Sequence, residues 1–162
     1  MIQILCDTRE QNPLIFSACE GVEIITTTLQ VGDYQARIKD GEMFKTVWER
    51  KSLQDLYGSF SGGYENEKKK IGKAKSLGLK YILGIEATVF EVREGNHYQK
   101  DGETRWSKKN GISQIRQLMT MYVKEYFDVW FFSSRQEMSF TIQEYFLAQE
   151  RVNAATSAAV KH

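Results

Sequence analysis

Proline is almost absent from this sequence: Pro13 is the only one in 162 residues. With no proline-rich segment, internal repeat or linker, nothing divides the chain, and its length suits a single domain. Cysteine is as scarce. Cys6 and Cys19 are too few for a disulfide framework or a zinc cluster, which points to a reducing compartment. No apolar run approaches the roughly 20 residues that cross a bilayer, and the opening residues lack a basic region followed by an apolar stretch. An excess of one charge is missing too. The 22 basic residues face 21 acidic ones, so affinity for nucleic acid must come from local charge. What is present is an ordinary globular balance, 41% hydrophobic and 27% charged, which excludes an intrinsically disordered chain. The expectation is a soluble cytoplasmic domain with no membrane partner.

Short apolar runs alternate with helical patterns. Ile2 to Cys6 reads as a buried strand bounded by Asp7, and the β-branched run Val22 to Thr28 as a second. Tyr34 to Ile38 pairs with Met43 to Glu49 through Lys39-Asp40-Gly41-Glu42, whose Asp-Gly step favours a hairpin. Ser52, three residues before Asp55, predicts a helix cap. Gly58, Gly62 and Gly63 form a break, and a strongly basic helix follows from Tyr64 to Leu77, stopped by Gly78. Lys80 to Ile85 reads as a central strand, and residues 92–110 as a polar excursion containing a hairpin. Ile112, Ile115, Met119, Tyr122 and Tyr126 recur at spacings of three and four, the signature of an amphipathic helix. Asp128 to Phe132 and Phe140 to Arg151 give a last strand and a last helix. Residues 1–152 are thus expected as one domain, and 153–162 as a flexible C-terminal tail. The class is α/β, a mixed central β-sheet flanked by helices on both faces.

The densest chemistry lies in Trp48-Glu49-Arg50-Lys51, where strand alternation sends Glu49 and Lys51 to one face. Side by side, a carboxylate that holds a divalent metal and a lysine that polarises water or meets phosphate charge can serve phosphodiester hydrolysis. Asp33, at the mouth of the hairpin's first strand, is the natural second carboxylate. A charged strand end at the surface is the plainer reading, and spacing alone leaves both open.

The wider set decides between them. Asp7-Thr8-Arg9-Glu10, then Gly32-Asp33-Tyr34, then Glu49-Arg50-Lys51 followed at the right distance by Asp55 resembles the XPF-type nuclease domain, a branch of the restriction-enzyme-like metal-dependent nucleases. The likeness is specific over residues 1–55 and looser beyond, where Gly63 stands before Tyr64 in place of a basic residue. It implies a restriction-endonuclease-like fold and a metal site of Asp33, Glu49 and Asp7, with Asp55 close by. It also implies Lys51 as the water-orienting residue, Arg50 orienting the carboxylates or meeting a phosphate, and Arg9 and Glu10 buttressing the site. Four mutually repelling carboxylates call for a cation, Mg²⁺ or Mn²⁺. His97 and His162 sit outside this set.

Between Glu65 and Lys80 six lysines, among them Lys68, Lys69, Lys70 and Lys73, face only two acidic residues. Such a run is either a solvated face or, beside a nuclease site, a phosphate-binding one. Arg105, Lys108 and Lys109, with Lys100 and Trp106, form a second cationic patch suited to backbone contact or stacking. Aromatic and apolar residues on the later helices, namely Ile115, Met119, Tyr122, Tyr145 and Phe146, read as core or as a subunit interface. The resemblance favours pairing through this C-terminal region, with a second copy or a partner subunit.

The expected function is a metal-dependent DNA endonuclease acting on branched, forked or flapped DNA. The family's helix-hairpin-helix module is not expected in it, which fits either a stand-alone nuclease, as prokaryotic or viral members are, or an excised domain. The alternative is a non-catalytic DNA-binding or scaffold subunit of the same fold.

Overall fold

Hydrophobic alternation and turn chemistry set the element order: β1 (Ile2–Asp7), β2 (Val22–Thr27), β3 (Tyr34–Ile38), β4 (Met43–Ser52), α1 (Leu53–Ser61), α2 (Glu65–Ser76), β5 (Lys80–Glu86), α3 (Val89–Glu94), the short pair β6 (Gln99–Lys100) and β7 (Glu103–Thr104), α4 (Lys108–Glu125), β8 (Asp128–Phe131) and α5 (Arg135–Ala159). The computed structural model describes residues 1–17, 19–61, 64–94, 99–100, 103–104 and 108–159. For residues 59–61, 99–100, 103–104, 108–110 and 157–158 it describes the backbone alone.

One mixed sheet runs in the order β2-β1-β3-β4-β5-β8. The β3–β4 hairpin turns where expected: Asp40 takes a φ of 57° and the Gly41 amide donates to the Ile38 carbonyl at 2.9 Å. β1 is parallel to β2 and antiparallel to β3, while β4, β5 and β8 run parallel to one another. All six residues of β1 are buried, as suits a strand covered on both faces.

Alternation along β4 divides the core. Val47 faces α1 to α4 and packs among Leu56, Tyr57, Ile71, Leu83 and Leu118. Trp48 faces α5 and packs among Ile4, Tyr34, Ile82, Met138 and Phe146. Glu49 and Lys51 share the Val47 side and Arg50 the Trp48 side, so one motif is split between the two faces of the sheet.

Reciprocal caps start two helices. Ser52 Oγ accepts the Asp55 amide at 3.1 Å and donates to Asp55 Oδ2 at 2.6 Å, as the sequence predicts. Thr88 Oγ1 and Glu91 do the same for α3, which the sequence reading missed.

Two expectations on the later helices are corrected. Phe146 cannot be an interface residue because it is completely buried against the sheet, and Tyr145 packs edge-on against Trp48 with ring centroids 5.5 Å apart. Leu118 and Phe127, flanking the α4 stripe, are core as well, and Ile115 packs against the same cluster. The last helix is also longer than expected. It begins at Arg135 and continues to Ala159, through alanines that favour helix. Among the described residues, no helix is long and apolar enough to cross a membrane.

Candidate active site

Three segments deliver side chains to one end of the sheet. β1 ends there at Asp7, β4 ends there with Glu49-Arg50-Lys51, and β3, antiparallel to both, begins there at Tyr34. The link into β3 requires glycine. Gly32 has a φ of +76°, and a Cβ would lie 2.3 Å from Val47 Cγ2 and 3.0 Å from the Trp48 carbonyl oxygen. That close approach lets Asp33 straddle Glu49. The Asp33 amide donates to the Trp48 carbonyl at 2.8 Å, and its Oδ2 accepts the Arg50 amide at 2.7 Å.

Asp33 and Glu49 therefore share one partly desolvated corner. Burial pushes the Asp33 carboxyl up to about 6, against the lowering effect of the Arg50 amide. Burial and then the Asp33 charge push Glu49 up to about 7, against the lowering effect of Lys70. Glu49 Oε1 accepts a hydrogen bond from Lys70 Nζ, and Glu49 Oε2 is buried without a hydrogen-bond partner. Two carboxylates whose ionised forms are disfavoured, one with an orphaned oxygen, fit a hard divalent cation. Among the described residues, no cluster of three or more metal-ligating side chains forms. A two-carboxylate donor set suits Mg²⁺, which keeps several waters.

The expected metal set is corrected at Asp7. Asp7 is saturated: Oδ1 accepts the Arg9 amide at 2.8 Å and Arg9 Nε at 2.7 Å, and Oδ2 accepts Arg9 Nη2 at 2.9 Å and the Leu29 amide at 2.7 Å. Burial alone would raise its pKa, but these bonds outweigh burial and hold it below the ordinary value. Asp7 anchors Arg9 and the chain entering Gly32 and has no lone pair left for a metal. Asp55 Oδ2 accepts Ser52 Oγ in the α1 cap, and Asp55 stays close by as expected, lining a cavity with Asp33, Glu49, Lys51 and Lys70. The Arg50 guanidinium does not orient Asp33 or Glu49, because it lies on the opposite face. There Nε and Nη2 donate to Glu86 at 2.6 and 3.3 Å, and Nη1 donates to Glu10 Oε1 at 3.0 Å. What orients Asp33 is the Arg50 backbone amide.

Lys51 is where the sequence places it, buried beside Glu49. Its Nζ donates to Glu67 Oε1 at 2.5 Å, and Tyr81 Oη donates to Glu67 Oε2 at 3.2 Å. Glu67 escaped the sequence reading, as did Glu86. The signals were there: Glu67, Ile71 and Ala74 mark the inward stripe of the lysine helix, and Glu86 closes a central parallel strand at the carboxyl end where sites gather.

The lysine run separates by direction. Lys70 turns onto Glu49, with Glu67 Oε1 at 3.8 Å. Lys68 lies over the Tyr64 ring at 4.6 Å and pairs with Glu65. Lys69 and Lys73 are exposed on the wall of a cavity of about 420 Å³ that Asp33, Glu49, Lys70 and Arg9 also line. His97, Arg105, Trp106 and His162 lie outside the described residues, as do the side chains of Lys100, Lys108 and Lys109.

A family model described as the ERCC4 domain matches residues 6–144. A solved structure, XPF from Aeropyrum pernix, aligns with a TM-score of 0.59 at 15% identity, covering 96% of this chain and 69% of that one. A second, XPF from Aeropyrum pernix in complex with DNA, aligns with a TM-score of 0.62 at 15% identity, covering 93% and 66%. The chain thus spans about two thirds of the length of those proteins, and at that identity the likeness establishes the fold. A sequence search of curated proteins returns no match.

Proposed function

The chain belongs to the ERCC4 domain family, and from that premise we propose that it is a divalent-metal-dependent DNA endonuclease that hydrolyses phosphodiester bonds in branched, forked or flapped DNA. The observation that carries the proposal is the Asp33–Glu49 corner, with its unpartnered Glu49 oxygen, set beside a buried lysine and opening into a lysine-walled cavity. DNA as the substrate is supported by that cationic wall and by the DNA-bound form of a protein of similar fold.

Asp33 and Glu49 would hold the cation, Mg²⁺ or Mn²⁺, which when bound supplies Lewis-acid polarisation of the phosphate and an acidified water. The protein's own contribution is placement. Asp33 is fixed by two backbone hydrogen bonds to the residues either side of Glu49. The Lys51 ammonium is locked by Glu67, itself held by Tyr81, so it meets developing phosphate charge without reorganising. Arg9, exposed at the cavity mouth and pinned by Asp7, presents a guanidinium edge to the DNA backbone. Lys69 and Lys73 give the sequence-independent grip. Arg50, Glu10 and Glu86 lock β4 against β5 and the segment after β1, which keeps the corner in register.

Assembly with a second copy or a partner subunit would use the outer face of α4. Met119 and Tyr122 are partly exposed there, and Val123 and Tyr126 more so. Tyr126, just past the end of α4, takes a left-handed φ of 51° and is 87% exposed. Tyr122→Glu should lower the mass of any dimer seen by light scattering.

Cleavage of an end-labelled fork, a nicked junction and a linear duplex in Mn²⁺ tests the reading. Preference for the branched substrates is expected. Equal cutting of all three would remove structure selectivity from the proposal. Binding without cutting in Mn²⁺ or Mg²⁺ would replace it with a DNA-binding scaffold.

A further inference from the structure

The ammonium of Lys70 stands where a cation is wanted. It donates to Glu49 Oε1, the partner of the orphaned Oε2, and reaches Glu67 at 3.8 Å. Its side chain is 41% exposed, whereas that of Glu49 is 5% exposed. The other lysine of the site is built differently: Lys51 is 7% exposed and gripped by Glu67 at 2.5 Å. Asp33, Glu49 and Glu67 face Lys51 and Lys70 in this corner, and withdrawing Lys70 takes one positive charge away from it.

We propose that Lys70 is a resident competitor for the cation: it holds Glu49 in the cation-free protein, gives Glu49 up when a divalent ion is taken up, and then joins Lys69 and Lys73 on the cavity wall as a phosphate contact. The inference rests on the reading of Asp33 and Glu49 as the cation site. An ammonium and a divalent ion sharing one buried carboxylate repel each other strongly where water is scarce, so uptake of the ion disfavours the lysine. Of the two lysines, only Lys70 has a flexible stem with a path to solvent, so it is the one that leaves. Lys69 and Lys73 already line the cavity it would turn into. The exchange couples the two ligands. A cation frees a positive charge for DNA, and DNA that engages this charge favours the cation by the same factor.

The test is Mn²⁺ affinity, measured by electron paramagnetic resonance at pH 8 without DNA, for the unmodified protein and for Lys70→Met, Lys70→Arg, Lys69→Met and Glu49→Gln. Lys70→Met is expected to bind Mn²⁺ roughly tenfold more tightly, on the scale of a charge-assisted hydrogen bond removed from competition. Lys70→Arg keeps the competing charge and should stay near the unmodified value. Lys69→Met removes an equal charge from the same wall without touching Glu49, so it too should stay near it. A gain for Lys70→Met no larger than that for Lys69→Met, with binding abolished in Glu49→Gln, overturns the competition and leaves the cation site standing. Unimpaired Mn²⁺ binding in Glu49→Gln overturns both. The salt dependence of linear-duplex binding tests the released state: Lys70→Met should lower the slope of log affinity against log salt by about one in Mn²⁺ and leave it unchanged in EDTA. Equal effects in the two conditions would mean that Lys70 never changes partner.

Discussion

Replacing Glu49 with Gln should make the cation-free protein more stable while abolishing its cation affinity. The Glu49 carboxyl rises from 4.5 to about 7, chiefly through burial and then through the Asp33 charge. That rise corresponds to roughly 3 kcal/mol against the ionised form. The sign follows from proton binding. The unfolded chain releases this proton near pH 4.5 and the folded chain near pH 7, so between those values the folded state holds more protons and stability falls as pH rises. Asp33 contributes a similar fall between 3.8 and about 6. A glutamine has no proton to lose, and its neutrality also relieves Asp33. Lys70 loses a partner in the variant, but its partial exposure lets it turn to water at little cost. The variant and the unmodified protein should therefore have similar unfolding free energies near pH 4.5 and diverge by about 3 kcal/mol by pH 8, or roughly 6–12 °C in Tm for a domain of this size. Urea denaturation in EDTA across that range measures the difference directly. At pH 8, Mn²⁺ should raise the Tm of the unmodified protein and leave the variant unmoved, because only a state that binds the ligand is stabilised by it. Parallel stability curves from pH 4.5 to pH 8 would show that Glu49 is not strained in its ionised form, and the electrostatic case for a cation would fail.

Arg50→Met should cost about 3–5 kcal/mol of stability, chiefly by leaving the nearly buried Glu10 carboxylate without its cation while Glu86 keeps Arg135 at 3.2 Å, and Arg50→Lys should recover only part, since an ammonium cannot span both carboxylates. Urea midpoints decide this. Lys69→Ala with Lys73→Ala should weaken binding to every DNA sequence alike and lower the salt slope by about two; an unchanged slope would return these lysines to a solvated face.

What the sequence reveals about the site is what one strand or one turn encodes. Alternation puts Glu49 and Lys51 on one face, and Ser52 with Asp55 announces a cap, whereas the close approach that requires glycine at Gly32 emerges only in the fold. What it hides depends on distant segments. Asp7 reads as a metal ligand until Arg9 and Leu29 are seen to occupy every lone pair of its carboxylate. Arg50 reads as a partner of Glu49 until the register with β5 brings Glu86 beside it on the other face. Glu67 is lost in a lysine run because a buried carboxylate needs a partner from elsewhere, and Lys51 is 16 residues away in sequence. Phe146 looks available for an interface because a helix whose apolar residues form no sharp stripe does not declare which side meets the sheet. The fold class is legible because period-two and helical segments alternate cleanly; the length of α5 is not, because an alanine stretch carries no amphipathic signal.

The central claim is that Asp33 and Glu49 hold a cation that makes DNA cleavage possible. It is tested most directly by cutting of a labelled fork by the unmodified protein and by Glu49→Ala, each with Mn²⁺ and with EDTA, with DNA binding followed by gel shift in parallel. Cleavage is expected only from the unmodified protein in Mn²⁺, with DNA still bound by the variant. Cleavage that survives EDTA, or full cleavage by Glu49→Ala, would contradict it.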